Sequence, residues 1–200
     1  MHETADIFFI NYLKAYLDEN RAARLMAESL DKAGVGLMPV IDHCAIRTRD
    51  VEKRAVEAVS LGFRCDEELG VLEFDNWWAK VYRKPGYPAL FIDQAFDGER
   101  GIKSLIPEWV DSHGDRRFHH IAALVENIEF AIDTLKAQGV LFAGTIIGER
   151  GSDLRQIFTQ PEIKNGKVFT VLELTERHHG YRGFLPPQAN DLMESTRLPK

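Results

Sequence analysis

The order of secondary-structure patterns in this chain occurs twice, and that repeat limits the folds open to it more than any other feature. A strand pattern over 40–48 leads to a helical pattern over 51–61, then Gly62, then short strand patterns at 63–66, 70–74, 79–83 and 89–93. A second strand pattern over 118–124 leads in the same way to a helical pattern over 127–138, then Gly139, then strands near 141–147, 155–159 and 167–175. In the helical stretches Val51, Ala55, Val56 and Val59, and again Ile128, Ala131, Ile132 and Leu135, recur near the 3.6-residue period that buries one face. Gly62 and Gly139 stand where a helix ends on a left-handed residue. Asp75-Asn76 and Pro85-Gly86 punctuate the strands as turn formers. The repeat predicts an α+β fold of two βαβββ modules packed as pseudo-twofold copies, 38–95 and 117–177.

Around the modules, Phe8, Tyr12, Leu13, Tyr16 and Leu17, with Ile7 and Ile10, and then Ala22, Leu25, Met26 and Leu30, predict two N-terminal helices within 1–37. A polar connector, 96–116, carries Gly98, Gly101 and Pro107 with one helical turn at Trp109, and 178–200 forms a C-terminal helix and tail. With 200 residues, 44% hydrophobic and 28% charged, the chain has ample material for a core rather than for disorder. A net charge of -6 with no basic cluster argues against nucleic acid as a partner. The first six residues lack a positive region before an apolar stretch, and no apolar run approaches the roughly 20 residues that span a bilayer. The expectation is a soluble cytoplasmic protein that handles a small molecule. Cys44 and Cys65 have no metal-ligand spacing, and Cys44 reads as a buried strand residue.

Alternate side chains of a strand share a face, so His43, Ala45 and Arg47 point together, as do His120, Ala122 and Leu124. Phe169, Val171, Glu173 and Thr175 form a third such set. Twofold packing of the modules brings their first strands together and lets the last strand of the second module join them. His43, His120 and Glu173 then supply two imidazoles and one carboxylate, the facial ligand set of Fe(II) oxygenases, which leaves positions open for a chelating substrate and dioxygen. His119 falls on the opposite face by the same alternation and reads as structural or supporting. His178 and His179 read as surface residues beside the Gly180 turn.

The segment 154–161, the strand ending in Glu176-Arg177, and His120-Ile121-Ala122 resemble the second module of 4-hydroxyphenylpyruvate dioxygenase. The two N-terminal helices leading into Asp42-His43 and Ala45-Ile46-Arg47-Thr48 resemble the 2-oxoadipate dioxygenase/decarboxylase (hydroxyglutarate synthase) family. Both belong to the vicinal oxygen chelate superfamily, in which paired modules form half-barrels around a metal. The resemblance implies His43, His120 and Glu173 as catalytic metal ligands, with Fe(II) as cofactor and Zn or Ni as substitutes in a purified sample. It implies Arg47 as the arginine that binds a substrate carboxylate, Gln156 as a substrate-pocket residue, and Phe184 with the following helix as a C-terminal gate. In that gate Leu185-Pro186-Pro187-Gln188 replaces the glycine-rich stretch of the hydroxyphenylpyruvate enzyme.

The activity implied is oxidative decarboxylation of a 2-oxo acid with dioxygen. Arg47 favours a dicarboxylic acid over an aromatic one. Partners are then a 2-oxo acid and dioxygen, with neither nucleic acid nor membrane, and a homodimer is left open. Two other readings share the fold. A non-redox enzyme of the glyoxalase or epimerase kind needs a base or a fourth ligand, for which Asp93 at the close of the first module is the candidate. A metal-free binding module needs neither.

Overall fold

A computed structural model describes residues 4–197 of the chain. Two helices open it, α1 (Ala5–Glu19) and α2 (Arg21–Lys32). The first module is β1 (Ile41–Arg47), α3 (Val51–Ser60), β2 (Arg64–Cys65), β3 (Val71–Glu73), β4 (Trp77–Arg83) and β5 (Ala89–Ala95). The connector holds α4 (Ile106–His113), which starts with Pro107 in its first turn and ends at Gly114. The second module is β6 (His120–Leu124), α5 (Ile128–Ala137), β7 (Phe142–Ile147) and β8 (Leu154–Thr159). A small hairpin follows, β9 (Ile163–Lys164) with β10 (Lys167–Val168), then β11 (Val171–Arg177) and finally α6 (Pro186–Ser195).

The main sheet runs β2-β4-β5-β1-β6-β11-β8-β7, with β3 paired to β4. Each module pairs its first strand in parallel with its last, β1 with β5 and β6 with β11, and the two first strands pair antiparallel at the centre. This is the pseudo-twofold arrangement that the repeated order predicts. Both faces of the central strands are buried, so the strands read as nearly continuous apolar runs and the alternation shows only in what each face carries. Cys44, Ile46, Leu90, Ile92, Ile121, Ala123, Leu172 and Leu174 form one core with α1, α2, α3 and α5. The intervening positions turn toward the other face, where His43, Ala45, Arg47, Phe91, His120 and Glu173 lie.

Side-chain caps start four of the helices. Thr4, Asn20, Asp50 and Asn127 accept the backbone N–H groups of Ile7, Ala23, Lys53 and Phe130, each satisfying a donor that has no partner within its helix. Asn20 also ties the helical pair to the second module, because its Nδ2 donates to Thr170 Oγ1 at 3.1 Å in a fully buried setting. Tyr16 Oη donates to the carbonyl of Val171 nearby.

Three details differ from the sequence expectation. Val56 and Val59 are 71% and 56% exposed, and the buried face of α3 is Val51, Arg54, Ala55 and Ala58. The face set by positions 51, 55 and 58 excludes 56 and 59, each one residue further round the helix. Trp109 belongs to a two-turn helix rather than a single turn. The stretch 167–175 is divided at 169–170: Lys167–Val168 fold back on Ile163–Lys164 through the two-residue turn that Asn-Gly favours, with Asn165 and Gly166 at φ 54° and 74°, and β11 starts only at Val171.

Asn20→Ala removes both the α2 cap and the link to Thr170. It is expected to cost about 2 kcal/mol of unfolding free energy, read from the shift of a urea denaturation midpoint.

Candidate metal centre

The central strand registers converge three ligand types on one point. His120 lies opposite Ala45 across the β1–β6 pair and beside Val171 across the β6–β11 pair, which sets Glu173 one alternation along from it. His120 Nε2 is 3.4 Å from His43 Nε2 and 3.2 Å from Glu173 Oε2, and His43 Nε2 is 3.5 Å from the same oxygen. Ligands held about 2.1 Å from a common ion stand about 3.0–3.4 Å apart between octahedral and tetrahedral angles, so the three groups are compatible with one divalent metal. All three residues are buried, at 2%, 9% and 1% exposure.

The electrostatics describe the same crowding. Burial alone would push the His43 imidazole down, but the carboxylates of Glu173 and Asp42 bring it up to about 9. Burial opposes ionisation of Glu173 as well, and the two imidazoles hold its carboxyl well below the usual range. The cluster favours a positive charge between its members, which a divalent cation supplies in place of a proton.

Each of the three side chains is oriented from behind. A β-bulge between Ile41 and His43 turns Asp42 toward its neighbour, and Asp42 Oδ2 lies 2.7 Å from His43 Nδ1. Arg177 grips that carboxylate through Nε at 2.8 Å and Nη2 at 2.9 Å, and donates from Nη1 to the carbonyl of Gly183 at 2.8 Å. With Nδ1–H given to Asp42, the His43 Nε2 lone pair faces the centre. Glu173 divides its oxygens. Oε1 accepts from Gln156 Nε2 and Thr175 Oγ1, both at 2.5 Å, and Oε2 is left to the imidazoles.

His119 is not on the far face. Its Nδ1 lies 2.9 Å from His120 Nδ1, and its ring meets Trp109 edge-on at 5.4 Å. The reason is local: His119 sits in a bend ahead of β6, its N–H bonded to the Ala45 carbonyl, so strand alternation begins only at His120. An Nδ1–H on His120 donating to His119 leaves the His120 Nε2 lone pair toward the centre. Leu124 also leaves the pocket face, at 46% exposure where β6 ends. His178 and His179 stand away from the cluster, bonded to Glu176 and Asp153.

A cavity of about 40 Å³ adjoins the cluster, walled by Trp77, Phe91, Phe158, Phe184 and the α6 residues Leu192 and Met193. Phe184 packs edge-on against His43 at 5.1 Å and against Phe91 at 4.9 Å. Gln156 lines the cavity as well as holding Glu173. Arg47 is buried at its end, with Nη2 2.8 Å from Met193 Sδ and Nε without a partner. Asp93 neighbours Arg47 in the β1–β5 register and lines the same space, outside the His43–His120–Glu173 cluster. Burial brings Arg47 down to about 10, and it pushes Asp93 up to about 7 against the opposing pull of Arg47.

The chain belongs to the Glyoxalase/Bleomycin resistance protein/Dioxygenase superfamily, whose family model matches residues 40–165. No curated protein sequence matches the chain. Among solved structures it is similar in fold to hydroxyglutarate synthase from Oryza sativa in complex with 2-oxoadipate. That match has a TM-score of 0.75 at 16% identity and covers 94% of this chain and 90% of that one. A protein from Shewanella frigidimarina NCIMB 400, provisionally described as a hydrolase, gives a TM-score of 0.75 at 18% identity, covering 93% and 99%. A mutant 4-hydroxymandelate synthase from Streptomyces coelicolor gives 0.63 at 19% identity, covering 80% of this chain and 54% of that one. No helix among the described residues is long and apolar enough to cross a membrane.

Titration calorimetry with a divalent metal is expected to show one site per chain. Glu173→Ala should abolish it, and Asp42→Asn, which leaves His43 less firmly oriented, should weaken it about 10- to 100-fold. A second expectation concerns Asp93. A carboxyl whose pKa is raised on folding contributes stability that is complete below its unfolded pKa and lost as pH rises through the folded value, here about 7. Asp93→Asn should therefore flatten the fall in denaturation midpoint between about pH 4 and about pH 7.

Proposed function

We propose that the chain is an Fe(II)-dependent dioxygenase that acts on a 2-oxo acid by oxidative decarboxylation, most like 2-oxoadipate dioxygenase/decarboxylase. The observation that carries this reading is the buried two-histidine, one-glutamate cluster with a buried arginine, in no ion pair among the described residues and with its Nε unpartnered, lining the same cavity. His43, His120 and Glu173 would hold the metal. An iron held by them would supply a centre for chelating the 2-oxo acid head group and for activating dioxygen.

The remaining residues bind, orient and exclude. Arg47 lies four residues along β1 from His43 on the same face, and its guanidinium has a thioether as its hydrogen-bond partner rather than a carboxylate. A carboxylate at the distal end of the substrate would replace that weak acceptor with a charge-assisted, two-pronged bond, which selects a dicarboxylic 2-oxo acid. Gln156 and Thr175 keep Glu173 in one rotamer, so that its free oxygen stays at the centre. Phe184, Leu192 and Met193 form a dry cover that keeps water from the reacting carbon. At about 40 Å³ the covered space holds only a few water molecules, so α6 shifts outward to admit a six-carbon diacid. The overall reaction balances as uptake of one dioxygen and loss of one carbon dioxide, which converts a six-carbon 2-oxo diacid to a five-carbon hydroxy diacid. The solved hydroxyglutarate synthase complex with 2-oxoadipate supports this choice of substrate class.

The test is an oxygen electrode with anaerobically iron-loaded protein and a panel of 2-oxo acids that includes 2-oxoadipate and 4-hydroxyphenylpyruvate. Substrate-dependent oxygen uptake with carbon dioxide release is expected, strongest with the dicarboxylic acid. Arg47→Met should lower kcat/KM for that acid about 10- to 100-fold, the value of charged hydrogen bonds, and affect a monocarboxylic 2-oxo acid less. No uptake from any acid, with iron demonstrably bound, overturns the reading.

A further inference from the structure

Arg47 borders a second and larger space that the proposed reaction does not use. A cavity of about 270 Å³ lies between α4, the β9–β10 turn and the C-terminal end of α6, and Arg47 is the one residue common to its lining and that of the metal cavity. Its walls are apolar where Leu105, Trp109 and Val168 face it. The polar groups on them are already engaged. The Trp109 indole N–H donates to the Phe169 carbonyl, His113 Nε2 lies 2.9 Å from the Val168 carbonyl, and Thr196 donates to the Met193 carbonyl. Glu108 is the lone carboxylate of the lining, and Lys167 holds it at 3.1 Å. Arg197 at the rim is paired with Glu194.

What is left over is one cation. Arg47 is 2% exposed, its Nε has no hydrogen-bond partner, and among the described residues it forms no ion pair; Asp93, its neighbour in the β1–β5 register, acts on it only from beyond ion-pair distance, and burial pushes that carboxyl toward its neutral form. A buried guanidinium with no carboxylate in contact is costly unless something anionic joins it. From this side the complement is an anion with an apolar body small enough for the chamber.

We infer that this outer chamber is a second ligand site, taking a small aliphatic or aromatic monocarboxylic acid with its carboxylate on Arg47 and its carbon body against Leu105, Trp109 and Val168. The site goes beyond the proposed oxidation and does not depend on it. The two chambers meet at one guanidinium, so an acid in the outer one competes with the distal carboxylate of a substrate in the inner one.

The test uses the metal-free, nitrogen-15-labelled chain titrated with straight-chain acids from acetate to hexanoate. The Trp109 indole N–H cross-peak, assigned by its loss in Trp109→Phe, reports the chamber directly. A saturable shift is expected, with affinity rising about fourfold per added methylene as each one leaves water. Ser112→Trp, placed at the chamber wall, should lower hexanoate affinity at least about tenfold, as should Arg47→Met. One equivalent of zinc should leave the hexanoate titration unchanged. The ladder of acids is read on the unmodified chain, so the result stands whether or not either variant folds. Absence of a saturable Trp109 shift, or affinity independent of chain length, overturns the inference. So does binding that survives Ser112→Trp in a folded variant, or binding that strengthens with zinc, which places the acid at the metal centre. None of these outcomes bears on oxygen uptake by the iron-loaded protein.

Discussion

When β1 and β6 pair antiparallel, Ala45 comes to lie opposite His120 and Ala122 opposite His43. The small residue beside each imidazole leaves room for the ring from the other strand to reach across, and the two Nε2 atoms meet at 3.4 Å. The parallel pairing of β11 to β6 then has one register in which Glu173 reaches both rings. A one-residue slip in either ladder would turn the ligands toward the helical core. The apolar alternation on the opposite face, with Cys44, Ile46, Ile121, Ala123, Leu172 and Leu174 packed under the helices, therefore holds the register on which the centre depends.

Burying so many polar groups is tolerable only where each finds a partner. Around the triad that condition is met almost completely: Asp42 and Arg177 behind His43, His119 behind His120, Gln156 and Thr175 behind Glu173. Arg47 and Asp93 stand apart from this order. They neighbour each other in the sheet, line the same cavity and keep the unpartnered atoms Nε and Oδ1. The groups that back the triad are thus mostly engaged, His119 Nε2 being unpartnered as well, whereas Arg47 and Asp93 lie side by side with unpartnered atoms facing the same space.

The fold was largely legible in the sequence because its strongest signals are long and repeated: amphipathic helices with Asp50 or Asn127 ahead of them and Gly62 or Gly139 behind, each inserted between strands. His43 and His120 were legible for the same reason, since equivalent positions in two copies must converge under twofold packing, and Glu173 because it sits on the closing strand of the second copy, which pairs with that copy's first strand. The supporting residues were not. Asp42 faces His43 only because a bulge breaks the alternation, and no residue pattern marks that bulge. His119 escaped because the strand begins at His120, two residues later than its apolar neighbour Phe118 suggests. Arg177 acts across 135 residues of sequence, which no local reading reaches. The β9–β10 hairpin was available in principle, for Asn165-Gly166 between short β-forming runs is a strong turn signal, but the apolar run beyond it masked the break.

Arg177 has a further consequence. One guanidinium holds both the carboxylate that orients His43 and the carbonyl of Gly183, three residues ahead of α6. The chain entering α6 and the backing of one imidazole are thus fastened to a single pin. Any displacement of Gly183 must either stretch this bond or carry Arg177 with it, so the pull reaches Asp42 and through it His43.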